Sequence, residues 1–235
     1  MGKRLLFIIL ACLILLRCTG REAVPADAQA EIRENSRYIA LTFDDGPKRE
    51  TTTKLLDGLR ERGASATFFL VGEQIEENRD LVERMKREGH QVGNHTWDHA
   101  RLEGSSAEVL LREVNRTDEA LRNILGEGSY WLRPPYGFLG EEEAKQLEVP
   151  LVKWSVDPRD WESRSTKKVV QAVLETVKPN DIVLLHDIYP TSVEAALQIV
   201  DDLQGKGYSF VTVEELLRLN GITPQPGTMY RSGTG

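Results

Sequence analysis

Short β-type apolar runs alternate with amphipathic stretches from Tyr38 to Leu219, and this alternation constrains the fold more than any other feature of the chain. Strands joined through helices return to the same edge and so lie parallel, in a sheet or barrel wrapped by helices. Strands are expected at Tyr38 to Phe43, Ala66 to Val71, Gln91 to Asn94, Tyr130 to Arg133, Leu151 to Val156, Asp181 to Leu185 and Ser209 to Val213. Helices are expected at Thr52 to Glu61, Asn78 to Glu88, Ala107 to Leu125, Glu141 to Leu147, Thr166 to Val177, Val193 to Gln204 and Val213 to Leu219. This makes seven β/α units. No Pro-, Gly- or Ser-rich linker interrupts them, so one domain from about Arg37 to Leu219 is the economical division, with residues 220–235 a Gly-, Pro- and Thr-rich tail expected to be flexible.

The N-terminus has the form of an export leader: Lys3 and Arg4 precede an apolar run from Leu5 to Leu16, short for a membrane span. Three endings compete, in this order: cleavage after the Ala26-Asp27-Ala28 pattern, lipidation of Cys18, and retention as an anchor. The protein is therefore expected outside the cytoplasm, touching a membrane only through residues 1–28 or a lipid on Cys18. Cys12 and Cys18 are the only cysteines, so the folded part rests on neither a disulfide nor a thiolate. Removing residues 1–28 takes away four basic and two acidic residues and moves the formal charge from -7 to -9. An acidic body without a basic run excludes nucleic acid as a partner and is easiest to reconcile with a neutral glycan. A monomer is expected.

Five polar clusters fall where expected strands end, which is where β/α barrels gather their chemistry. Thr42-Phe43-Asp44-Asp45-Gly46-Pro47 places adjacent carboxylates at a turn; alone it is an ordinary turn or helix cap, or a pair in which one carboxylate binds a cation and the other acts as base. His95-Thr96-Trp97-Asp98-His99 holds two of the four histidines, at a spacing that on a helical turn points both imidazoles to one face, where they can grip a divalent metal. Arg133-Pro134-Pro135-Tyr136-Gly137 is a rigid loop, and Asp157-Pro158-Arg159-Asp160-Trp161 an acidic loop with an indole. Leu184-Leu185-His186-Asp187 ends an apolar strand in a titratable pair, poised for proton transfer or merely satisfied by its loop.

Taken together, TFDDGP, HTWDH, RPPYG, DPRDW and LLH, supported by ATFFLVG (Ala66 to Gly72) and GHQVGNHT (Gly89 to Thr96), resemble the polysaccharide deacetylase family, carbohydrate esterase family four, across Arg37 to Leu219. The resemblance implies a distorted (β/α) barrel and a hydrolase that removes N-acetyl groups from an N-acetylglucosamine-containing polysaccharide. It implies one divalent ion on Asp45, His95 and His99: zinc first, with cobalt, nickel or manganese as alternatives. Asp44 would be the general base, tuned by Arg133; the backbone N–H of Tyr136 would help hold the oxyanion. His186 would be the general acid, paired with Asp160, and Trp161 and Leu184 would shape the acetyl pocket. His90, Asp98 and Asp157 are expected to be structural, and Asp187 to cap a turn. The leader favours peptidoglycan over chitin-like chains as substrate. The rival functions are an O-acetyl esterase acting on xylan and a secreted glycan-binding barrel without chemistry.

Overall fold

β1 (Arg37–Asp44) is buried along its last six residues, and its apolar faces suit the one strand that others flank on both sides. In the computed structural model, which describes residues 37–235, β1 runs parallel to β2 (Thr67–Leu70), β5 (Ile182–His186) and β6 (Tyr208–Phe210). The leader, with its cleavage site and Cys18, lies outside the described residues. β2 pairs in turn with β3 (Gln91–Asn94), and single parallel bridges carry the ring onward from Asn94 to Leu132, from Leu132 to β4 (Leu151–Val152), and from Val156 to Val183 of β5. These isolated contacts make the barrel a distorted one.

The connecting helices are α1 (Arg49–Glu61), α2 (Arg79–Arg87), α3 (Ala107–Leu125), α4 (Glu141–Ala144), α5 (Asp160–Ser163), α6 (Thr166–Thr176), α7 (Pro190–Gln204) and α8 (Val213–Leu219). Their starts follow local chemistry. The Ser106 hydroxyl accepts the Val109 N–H at the head of α3, and Thr212 and Glu215 form a reciprocal capping box on α8. Phe43, Phe68, Leu55, Leu59, Ile199 and Leu185 belong to the largest core cluster, between strands and helices. Each such buried side chain contributes about 1.5–3 kcal/mol.

Three expected elements come out differently. Tyr130 to Arg133 contributes a single bridging residue, because Pro134 and Pro135 follow directly and cannot donate to a ladder. Leu151 to Val156 splits because its amides change partner: the Lys153 N–H donates to Tyr230 O, whereas those of Ser155 and Val156 donate to Ile182 O. The tail does not fray. β7 (Met229–Tyr230) pairs with β4, and Tyr230 is buried in a cluster with Trp131, Val152 and Leu217, so two apolar residues outweigh the Gly- and Pro-rich sequence around them.

Candidate active site

The site lies at the C-terminal end of β1. Asp44 is the last paired residue of that strand, in register with Phe69 of β2 and His186 of β5, so its backbone is fixed from both sides. Beyond it the chain turns through Asp45 at φ 71°. Of the seven non-glycine residues with positive φ among the described residues, five (Asp45, Thr96, His99, Tyr136 and Arg159) lie in the polar clusters at the strand ends, so unusual backbone is concentrated here.

Arg133 is wholly buried and organises this region. One terminal nitrogen donates to Thr42 Oγ1 and Asp44 Oδ1, both at 2.7 Å; the other donates to Lys153 O at 2.9 Å, and the guanidinium stacks over Phe69. The Thr42 hydroxyl gives its own proton to Val183 O, which leaves its oxygen free to accept from Arg133. Burial lowers the Arg133 pKa and the neighbouring Asp44 carboxylate raises it; the net shift is downward. Such a pair survives burial because the charges are adjacent and both terminal nitrogens of the guanidinium are bonded.

The backbone carbonyl of Arg133 fixes His95. Its oxygen lies 2.7 Å from His95 Nδ1, and since a carbonyl only accepts, Nδ1 carries the proton and Nε2 presents a lone pair. That Nε2 is 3.5 Å from Asp45 Oδ1, and His99 Nε2 is 3.3 Å from the same oxygen. Asp45 Oδ1 is buried and has no hydrogen-bond partner. One ligand atom from each of Asp45, His95 and His99 falls within 4.8 Å of the others. A bare carboxylate oxygen between two imidazole nitrogens is what a divalent ion resolves, so the residues fit a metal of the zinc type. Burial, then the charge of His95, lowers the His99 pKa and favours the neutral ligand form. Burial would raise the Asp45 carboxyl, but His95 beside it, with His186 and His99 beyond, holds it below its usual range.

The two imidazoles do not meet on a helix. Residues 95–99 form a loop, with Thr96 and His99 at positive φ, so convergence comes from loop shape rather than helical spacing. Residues not singled out from the sequence hold that loop. Asn94 Oδ1 accepts the Thr96 N–H at 2.7 Å while its amide donates to Val114 O and Asp118 Oδ1 of α3. Glu113, buried on the same helix, accepts the N–H groups of Trp97 and Asp98 at 3.2 and 3.3 Å. The available signal was their spacing: Leu110, Glu113, Val114, Thr117, Asp118 and Leu121 share one helical face.

On the opposite flank, His186 Nδ1 lies 2.8 Å from Asp160 Oδ1, and the other Asp160 oxygen accepts the His186 backbone N–H at 2.8 Å. His186 Nε2 is left facing Asp45 Oδ2 at 4.0 Å. Burial alone would lower the His186 pKa, but the hydrogen bond and charge of Asp160, with Asp44 and Asp45 beyond, lift it to about 9. Leu184 is buried two residues before His186 and so on the same face of β5. Tyr136 and Trp161 are exposed on the rim, the Tyr136 ring edge-on to His99 with centroids 4.8 Å apart.

The remaining sequence candidates stand outside the Asp45, His95 and His99 cluster. His90 is buried edge-on to Phe68 and accepts the Ala66 N–H on Nδ1, Asp98 is exposed, and Asp157 Oδ1 accepts the Arg159 N–H. Asp187 is not a turn cap. It is fully buried, takes a hydrogen bond from Thr52, and sits so close to Gly46 that a β-carbon there would collide with its carboxylate. Its burial raises its pKa to about 7, against the opposing Thr52 bond.

A parallel, helix-wrapped barrel with a carboxylate–histidine cluster between an Asp–Arg and a His–Asp pair defines a hydrolase-type site at the strand ends. Residues 31–150 match the family described as polysaccharide deacetylase, and the chain belongs to that family. It is 37% identical over 195 residues to a peptidoglycan-N-acetylmuramic acid deacetylase of Bacillus subtilis, covering 83% of this chain and 42% of that protein. It thus spans about two-fifths of that longer relative. A peptidoglycan-N-acetylglucosamine deacetylase of Bacillus cereus is 38% identical over 80% of this chain and 92% of its own length. Among solved structures, a family 4 acetyl xylan esterase from Clostridium thermocellum in complex with a cobalt ion superposes with a TM-score of 0.79 at 30% identity, covering 83% of this chain and 98% of that one.

Proposed function

We propose that this protein removes N-acetyl groups from N-acetylglucosamine residues of peptidoglycan, outside the cytoplasm. The observation that carries the reading is the placement of two separate proton-handling pairs, Asp44–Arg133 and His186–Asp160, on either side of the Asp45, His95 and His99 cluster. Asp45, His95 and His99 would hold a divalent ion, zinc as the first choice with cobalt, nickel or manganese as alternatives, which would polarise the acetyl carbonyl and acidify a water.

The chain's own groups do the rest. Asp44, held by Arg133 with its second oxygen free of that bond, takes a proton from the attacking water. The water oxygen bonds to the acetamide carbon, and the Tyr136 backbone N–H stabilises the oxyanion that forms. His186, oriented through Nδ1 by Asp160, gives the proton at Nε2 to the sugar nitrogen as the C–N bond breaks. Acetic acid and a free amino sugar leave, and the proton held on Asp44 passes through solvent to His186, which returns both groups to their starting states. Leu184 and Trp161 bound the space for the acetyl methyl group.

Relatives named as peptidoglycan deacetylases support this substrate, and the export leader agrees with it. The test is acetate release by zinc-loaded protein from peptidoglycan, chitin oligomers and acetylated xylan. Release from the first is expected; release from xylan alone would replace the reading with an O-acetyl esterase.

A further inference from the structure

Among the described residues, three of the four exposed large apolar side chains, Tyr136, Phe138 and Trp161, stand in the loops that rim the site. Cations accompany the rim aromatics. Arg101 and Lys153 lie 4.7 and 5.9 Å from the Phe138 ring centroid, Arg159 lies 5.5 Å from that of Trp161, and Arg164 covers Tyr189 at 3.5 Å. Two of these charges are already answered: Arg101 pairs with Glu103 at 2.6 Å and Arg159 with Glu162 at 2.8 Å. Lys153 and Arg231 have no carboxylate partner among the described residues.

The fold brings those two cations together. Lys153 follows β4 and Arg231 follows β7, and the pairing of these strands, continued by the Lys153 N–H to Tyr230 O bond of 2.7 Å, sets one beside the other. Burial lowers the Lys153 pKa and the charge of Arg231 lowers it further, as two positive groups do when no anion lies between them. Lys153 is also tied to the site: its carbonyl accepts from Arg133, and its side chain runs against Gly137, where a β-carbon would come within 2.9 Å of Cε. Gly137 adjoins Tyr136, whose ring touches His99, so the ammonium lies just outside the acetyl site, beside the exposed Phe138 ring.

We propose that Lys153 and Arg231, with Phe138 as a stacking platform, form a subsite for a carboxylate on the sugar next to the one that loses its acetyl group. The inference rests on the deacetylase reading and deepens it: the preferred substrate is an acidic glycan, such as one whose neighbouring residue carries a lactyl or peptide carboxylate. It also revises the expectation of a neutral glycan drawn from net charge. Net charge sums the whole surface, whereas recognition depends on the local field, to which two unanswered cations at the rim add positive charge.

The test uses peptidoglycan-derived oligomers with free carboxylates and the same oligomers with those carboxylates amidated. Acetate release and calorimetric binding are measured on zinc-loaded full chain, wild type and Lys153→Met, Arg231→Gln and the double variant. Wild type is expected to favour the free acid by about five-fold at low ionic strength, with the preference shrinking in salt. Each single variant should reduce that ratio and the double variant abolish it. Equal or better handling of the amidated oligomers by wild type, or a free-acid preference that survives in the double variant, overturns the proposal. The two readings fail separately. Tighter, Lys153-dependent binding of the free acid without acetate release would sustain the subsite and reject the reaction; equal acetate release from both forms would reject the subsite alone.

Discussion

Substitution of Arg133 by methionine removes a guanidinium that is wholly buried and holds Thr42, Asp44 and the Lys153 carbonyl at once. Methionine keeps an apolar stem against Phe69, so the dominant loss is electrostatic: the Asp44 carboxylate, itself only 4% exposed, stays buried without its cation. Breaking one side of a buried pair costs roughly 3–5 kcal/mol. Asp44→Asn in the same chain removes the orphaned charge, so the double variant is expected to be more stable than Arg133→Met alone, with a coupling of about 1–3 kcal/mol. Urea unfolding of the four proteins at matched metal content measures both quantities. A loss below about 1 kcal/mol for Arg133→Met, or a double variant no more stable than the single, would refute the assignment of Arg133 as the group that makes a buried Asp44 tolerable.

Two further outcomes follow from buried groups around the barrel. His90 has its pKa pushed by burial from 6.5 to about 4, so the unfolded chain takes up a proton between those values that the folded protein resists; the contribution is full above pH 6.5 and is lost as pH falls through 4. Wild type should therefore lose roughly 3 kcal/mol more than His90→Gln between pH 7 and pH 4 in denaturant titrations, and parallel curves would contradict this. Glu113→Ala should free the Trp97 and Asp98 amides and weaken metal binding about 10- to 100-fold by chelator competition, whereas Glu113→Gln, which still accepts, should lose much less; equal loss in both would show that charge rather than loop anchoring matters.

The barrel was legible in the sequence because its central strands are long in apolar residues and its helices carry an amphipathic period; α3 and α8 fall at their expected limits. The weaker staves were not. Leu132 and Val156 are isolated bridging residues, and no periodicity can be read from a single residue. At the site, the sequence singles out side chains that face the centre, and the structure brings Asp44, Asp45, His95, His99, Arg133, Asp160 and His186 together. Their supports escaped notice for a physical reason. Glu113 and Asp118 lie on a helix rich in charge, where a carboxylate ordinarily faces water, and only its place on the apolar stripe marks one as buried. Asp187 was missed as a core residue because its partner, Thr52, is 135 residues away in the chain.

The central claim is that Asp44 moves a proton while Asp45, His95 and His99 hold the ion. Asp44→Asn keeps the shape of the carboxylate and an oxygen able to accept from Arg133, but it has no basicity. Metal content and acetate release from peptidoglycan, measured on the same preparation, are therefore expected to part: about one zinc per chain is retained, and the rate falls roughly 10²- to 10⁴-fold. An Asp44→Asn protein that keeps its metal and turns over at near the wild-type rate would contradict the account.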